Sequence, residues 1–141
     1  MGARSSKSLV ERLGIREGFR VEFVNPPSRY MTTLGQLPKN VLVVQRLKGT
    51  FDFIQFFVRD EDELENGFSR LKEALSQIGM LWVCWPKGAS KTADMLNENT
   101  VRDVGLRNGL VDMKVCSVDE TWSALKFVHR SKDRKMTVKV L

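Results

Sequence analysis

Three places in this 141-residue chain carry side chains of the kind that do chemistry. The first is Trp85-Pro-Lys-Gly-Ala-Ser-Lys-Thr92, where an apolar run breaks into a small, polar loop. Lys87 and Lys91 bring two ammonium groups, and Ser90 and Thr92 two hydroxyls. Such a loop can hold a phosphate or a carboxylate. It lacks the Gly-Lys-Ser/Thr core and second upstream glycine of a P-loop. A solvated connection from strand to helix accounts for it equally well. The second place is Asp119-Glu-Thr-Trp122. Asp119 and Glu120 could act as general acid or base opposite the loop lysines. A hairpin turn explains them more simply, with Asp119 capping through an Asx-type bond and Trp122 covering the hairpin's flank. The sequence therefore nominates Lys87, Ser90, Lys91, Asp119, Glu120 and Trp122 as binding residues, and no residue as catalytic.

The third set is Cys84, Cys116 and His129, the only thiols and the only imidazole in the chain. Each cysteine sits in an apolar, strand-like run, which predicts two buried, reduced thiols and a cytosolic protein. No histidine precedes residue 129 to activate Cys84 as a nucleophile. His129 opens a basic stretch and reads as a surface residue. With no Cys-x-x-Cys pair, this inventory offers no zinc site. Trp82, Trp85, Phe51, Phe53, Phe56 and Phe57 could stack on nucleic-acid bases, but alternating aromatics on a strand are more simply core.

Charge is unevenly placed. The net charge is +6; residues 1–7 contribute +2 and residues 129–141 contribute +4, which leaves residues 8–128 neutral. This predicts a flexible basic N-terminus over 1–7, one α/β domain over 8–130 and a basic tail over 131–141. The tail could touch nucleic acid non-specifically, although a solvated tail is the simpler account. A protein partner or a small anionic ligand fits the neutral body. The longest apolar run, Met80–Trp85, is six residues, far below the ~18 of a membrane span. The first eight residues lack the apolar segment of a secretory signal.

The elements that must position these residues follow from periodicity. Ser8–Leu13 reads as a short helix stopped by Gly14. Phe19, Val21 and Phe23 alternate with Arg20 and Glu22, a strand signal, which ends at Asn25-Pro26-Pro27. Pro27 opens a short helix through Leu34. Val41–Val44 is apolar throughout, which predicts a strand buried within a parallel sheet. Phe51–Val58 is an aromatic strand. Leu64, Phe68, Leu71, Leu75 and Ile78 recur at helical steps, predicting a helix over Asp60–Ile78 with Gly79 as its C-terminal glycine. Leu81–Trp85 is the next, central strand. A helix capped by Asn97 or Asn99 runs to Gly109, and Val111–Val118 and Ala124–Val128 form a hairpin. The tail could extend the last strand through Thr137–Val140. The alternation of helices and strands predicts a three-layer, Rossmann-like sandwich: a mostly parallel sheet with a C-terminal antiparallel hairpin.

Two resemblances rest on these residues. From Phe51-Asp52 onward, the strand, acidic-capped helix, Gly79, strand Leu81–Trp85, second helix and hairpin resemble the carboxyl half of a class I S-adenosylmethionine-dependent methyltransferase domain. That resemblance implies a methyltransferase-like topology. Such enzymes place a glycine-rich turn after the first strand and an acidic residue after the second. Here those places read Asn25-Pro26-Pro27-Ser28 and Gln45-Arg46, and the usual third strand has no counterpart. The expectation is therefore a module without a bound cofactor. The blocks Leu81-Trp-Val-Cys-Trp-Pro-Lys87, Gly109-Leu-Val-Asp-Met-Lys-Val-Cys116 and Val118–Trp122 are similar to those of an uncharacterised bacterial family, a domain of unknown function. That resemblance implies a fold and no activity. Open parallel sheets bind ligands beyond the carboxyl ends of their strands. This predicts a site where Asn25, Pro26, Arg46, Arg59, Asp60 and Pro86–Lys91 converge, joined by Asp119, Glu120 and Trp122 if the fifth strand is parallel. Two functions are in view. One is a non-catalytic module that binds a protein partner or small ligand; the other is a small enzyme or an anion- or nucleotide-binding protein.

Overall fold

The computed structural model describes residues 7–45, 49–88 and 96–131. Among them the chain builds α1 (Leu9–Leu13), β1 (Arg20–Val24), α2 (Tyr30–Leu34), β2 (Leu42–Val43), β3 (Phe51–Phe57), α3 (Glu61–Glu73), β4 (Leu75–Pro86), α4 (Glu98–Arg107), β5 (Leu110–Ser117) and β6 (Trp122–His129). The strands form one sheet in the order β2-β1-β3-β4-β6-β5. β1 pairs in parallel with both β2 and β3, and β3 with β4. β6 is antiparallel to β4 and to β5. The expected Rossmann-like sandwich with a C-terminal hairpin is what the chain forms.

Local sequence sets the helix starts. Ser8 Oγ accepts from Glu11 N at 3.1 Å while Ser8 N donates to Glu11 Oε1 at 2.9 Å, a reciprocal capping box. Asp60 Oδ1 accepts from Glu63 N, and Asn97 Oδ1 from Thr100 N, both at 2.9 Å. Each such cap stabilises its helix by about 1 kcal/mol.

Two cores lie on opposite faces of the sheet. α3 and α4 cover Ile54, Phe56, Leu81, Val83, Trp85, Leu125 and Phe127. α1 and α2 cover Phe53, Phe57, Trp82, Cys84, Trp122 and Ala124. Trp82 is fully buried, and its indole N–H donates to the Leu13 carbonyl at 2.9 Å. Leu64, Phe68 and Leu71 on α3 are likewise fully buried, each side chain contributing roughly 1.5–3 kcal/mol.

Four expectations are corrected. The helix predicted to Ile78 ends at Glu73, and Leu75 opens β4 instead. Leu75 is the register partner of Phe51, and Phe51 N donates to Ala74 O at 2.8 Å, so sheet pairing overrides the helical period. Ile78 is 77% exposed. Gly79 is no helix cap: a Cβ there would sit 2.8 Å from the Phe51 carbonyl oxygen, so the strands approach only because it has none. The strand expected over Val41–Val44 to be buried is an outer strand, with Leu42 57% and Val43 43% exposed. Its one strand neighbour is β1. His129, expected at the surface, is buried; its Nε2 lies 3.2 Å from the Leu75 carbonyl oxygen, because its position in β6 points toward α3 and α4. Cys84 is buried as expected, whereas Cys116 is only half-buried because β5 is the other outer strand. The possible strand over Thr137–Val140 lies outside the described residues.

Two helical glycines set the spacing of the α3–α4 layer. A Cβ at Gly105 would fall 2.0 Å from the Phe127 ring, and one at Gly67 2.6 Å from the Phe56 ring. We expect Gly105→Ala to destabilise the protein by about 1–3 kcal/mol through overpacking. Gly88→Ala, with no described residue within 4 Å of the added Cβ, should leave the urea midpoint near that of the parent. Equal midpoints for the two variants would contradict this packing.

Candidate functional site

β1, β3 and β4 run the same way, and β5 runs with them because it is antiparallel to β6, itself antiparallel to β4. Their carboxyl ends therefore share one edge. The chain leaves β1 for β2 on one side and returns to β3 on the other. A crevice at such a switch point is where open α/β sheets bind ligands.

A cleft of about 470 Å³ opens there. Pro27 and Ser28 from the turn after β1, with Tyr30 and Thr33 from α2, form one wall. Arg59 after β3 and Pro86 at the end of β4 form the base, and Asp119, Thr121 and Trp122 the far wall. The turn is bent hard: Asn25 and Arg29, flanking the two prolines, have φ of +57° and +64°. Left-handed backbone at non-glycine residues costs roughly 1–3 kcal/mol and gathers at ligand sites. A second, shallower cleft of about 340 Å³ lies on the α3 side of the same turn, lined by Asn25, Glu63, Asn66 and Arg70 among others.

The nominated residues separate. Asp119 and Trp122 line the cleft. Asp119 Oδ1 accepts from the backbone N–H groups of Thr121 and Trp122 at 2.8 and 2.9 Å, the Asx-type turn read from the sequence. Trp122 is 4% exposed, with its ring edge-on to Phe57 at 5.1 Å. Lys87 does not line the cleft; its Nζ donates to Ser117 Oγ at 2.6 Å and its N–H to Thr121 O at 2.7 Å. Glu120 is exposed outside it. Ser90 and Lys91 lie outside the described residues.

Arg59 was visible in the sequence only as one of several residues at this edge, yet among the described residues it is the cation that lines the cleft. Its guanidinium lies 5.3 Å from the Trp122 ring centroid, a cation–π contact. Among the described residues it has no carboxylate within ion-pair distance. Tyr30 was missed altogether. It is the chain's only tyrosine, and it follows a Pro-Pro turn at the predicted edge, a signal that was available. Its hydroxyl donates to Gln55 Oε1 at 2.8 Å, and Gln55 Nε2 donates to Cys84 Sγ at 3.3 Å. Gln55 is fully buried mid-strand, so this chain of bonds keeps a polar side chain satisfied beneath the cleft floor. Burial pushes the Tyr30 phenol up, with Cys84 and Asp119 adding to the rise against the Gln55 bond. Burial likewise pushes up the Cys84 thiol. Both therefore stay protonated at neutral pH. No group of three His, Cys, Asp or Glu side chains is placed to hold a metal among the described residues.

No family model matches the chain, and neither does any curated protein. Solved structures do. The chain is 13% identical to DhpI in its complex with SAH over 87% of this chain and 83% of that one, with a TM-score of 0.60. It is 14% identical to a TehB-like SAM-dependent methyltransferase from Corynebacterium glutamicum over 86% and 85%, with a TM-score of 0.56. Against the pyocyanin biosynthetic protein PhzM, 12% identical at a TM-score of 0.59, 86% of this chain spans only 53% of the other. The fold is methyltransferase-like. At these identities the likeness concerns the fold alone.

Two outcomes follow from the buried bonds. Tyr30→Phe leaves Gln55 Oε1 without its donor and should cost about 1–3 kcal/mol in urea unfolding. Adding Gln55→Met should recover part of that loss, and a Tyr30→Phe protein as stable as the parent would contradict the bond. With a thiol reagent at neutral pH, Cys116 should react in the native protein and Cys84 only on unfolding. A Cys116→Ser protein that labels quickly while folded would show Cys84 to be accessible.

Proposed function

We propose that this chain is a non-catalytic Rossmann-like module that binds a small ligand at the carboxyl edge of its sheet, the ligand carrying an anionic group and a flat or apolar part. One observation carries this reading: the Arg59 guanidinium faces the cleft over Trp122 without a carboxylate partner among the described residues. Pro27, Pro86 and Trp122 supply the apolar surface, and Ser28, Thr33 and Thr121 supply hydroxyls at its rim. The non-catalytic part is supported by how the polar groups are held. Asp119 is bonded to its own turn, Lys87 is bonded to Ser117, and Tyr30 is a neutral phenol bonded to Gln55.

S-adenosylmethionine, held as the fold's enzymes hold it, does not fit these residues. Pro26 and Pro27 remove two backbone donors from the turn after β1, and Gln45 follows β2 where a ribose-binding carboxylate belongs. The methyltransferase-like fold still favours an alternative to be tested alongside, a small enzyme or nucleotide-binding protein using this same edge. Kinship with the uncharacterised bacterial family is part of the proposal. Its support is the blocks Leu81–Lys87 and Gly109–Cys116, which lie largely on β4 and β5. So is a single domain over 8–130 with basic ends, supported by one continuous sheet among the described residues. No described helix is long and apolar enough to cross a membrane; a cytoplasmic location belongs to the proposal.

A thermal-shift screen of nucleotides, S-adenosylmethionine, aromatic carboxylates and small anions tests the site. An aromatic carboxylate or nucleoside phosphate at 100-fold its Kd should stabilise by about 2.7 kcal/mol. Arg59→Ala should abolish that shift, and Lys87→Ala should leave it intact. A shift unaffected by Arg59→Ala would place the ligand elsewhere. One abolished by Lys87→Ala would restore the loop lysine as the anion site.

A further inference from the structure

Cations on the α4 side of the β5–β6 hairpin are paired with carboxylates, and those described on its α1 side are not. On the α4 side, Arg102 bonds both Glu98 and Asp112, and Arg107 bonds both Asp103 and Glu65. The α1 side of the β5–β6 hairpin is different. Leu125 and Phe127 belong to the α3–α4 core and Ala124 to the α1–α2 core, so strand alternation puts Lys126 on the α1 side. Lys114 is its direct register partner on β5. Arg16, just beyond α1, and Lys114 are the like charges acting on Lys126; burial first, then these two, pushes its ammonium down from the ordinary lysine range. Two and three residues further along β5, Arg12 Nη1 donates to Cys116 Sγ at 3.5 Å and to Ser117 O at 2.7 Å. These are neutral acceptors. Among the described residues, none of Arg12, Arg16, Lys114 and Lys126 has a carboxylate within ion-pair distance. Exposed Glu17 and Glu120 border the row in sequence, Glu11 is held in the α1 capping box, and Asp119 is held in its turn.

Like charges directly opposite one another across two strands destabilise a sheet. A row of them, one half-buried, calls for a counter-charge from outside the chain. We propose that this face of the β5–β6 hairpin docks the phosphate backbone of a single-stranded nucleic acid. The cations follow a strand for about 10 Å at ~3.3 Å per residue, a line of charge that suits a linear polyanion. Both ends of the chain add charge of the same sign. No aromatic side chain is among the large exposed apolar residues described, so the face offers no stacking platform for bases and reads no sequence. This surface is separate from the Arg59 cleft, and its binding does not depend on that site.

The test is fluorescence anisotropy with a labelled oligothymidylate, titrated at several salt concentrations with the full chain. Binding should weaken steeply with salt. Lys114→Gln/Lys126→Gln should lower affinity and reduce the log–log salt slope by about 1.4, at ~0.7 per phosphate contact on single strands. Relief of the opposed charges should leave the variant's Tm equal to or above the parent's. Lys132→Gln/Lys135→Gln serves as the tail control and should change the slope less. Absence of binding by the parent, a slope unchanged in the hairpin variant, or a loss confined to the tail variant would each overturn the proposal. So would polyglutamate binding as tightly as the oligonucleotide, with equal dependence on Lys114 and Lys126, because the row would then suit an acidic protein.

Discussion

Residues 81–85 of β4 present no polar side chain to either face of the sheet, and all five are buried. A strand of this kind must be covered on both sides, and much of the architecture follows from meeting that demand. Leu81, Val83 and Trp85 require α3 and α4; Trp82 and Cys84 require α1 and α2. The strand's hydrogen-bonding edges must be filled as well. β3 takes one in parallel, and β6 takes the other in reverse. The direction of β6 in turn brings β5 back with its carboxyl end beside those of β3 and β4. The cleft at the carboxyl edge is thus a by-product of keeping one strand dry.

Much of this could be read from residues because local and tertiary preferences agree there. Ser8, Asp60 and Asn97 cap helices whose apolar positions also face a core, so each start was legible. The misreadings fall where the two disagree. Leu75 and Ile78 continue the helical spacing of Leu64, Phe68 and Leu71, and nothing in the spacing shows that Phe51 claims Leu75 as a strand partner. Leu42 and Val43 have the composition of a buried strand, but their exposure depends on what lies beside them in the sheet. His129 reads as the start of a basic tail, and only its register opposite Leu110 turns it inward.

The candidate site was legible as an edge and not as a set of side chains. The alternation of elements implied a mostly parallel sheet, and that located the carboxyl edge without giving the order of the strands. Which side chains enter that crevice depends on bonds the sequence does not display. Lys87 turns aside because Ser117 is within reach, whereas the turn that occupies Asp119 was the exception, legible from its residue types. Tyr30 is drawn down by a buried glutamine on a strand that otherwise reads as core. That glutamine is the one polar side chain in the run Phe53–Val58, and it marks the point where α2 is anchored by hydrogen bonds as well as by apolar contact.

The shortness of β2 has a consequence for local stability. Only two register pairs tie it to β1, and its apolar side chains are already half in water, so peeling it away loses little burial. The corner where β2 meets the proline turn is therefore lightly held on its β2 side, while α2 stays anchored through Tyr30 and Leu34. One wall of the cleft belongs to that corner, while the base and far wall belong to the frame of β3, β4 and β6. Loosening of β2 would leave the frame of β3, β4 and β6 intact, because no residue of β2 pairs with it.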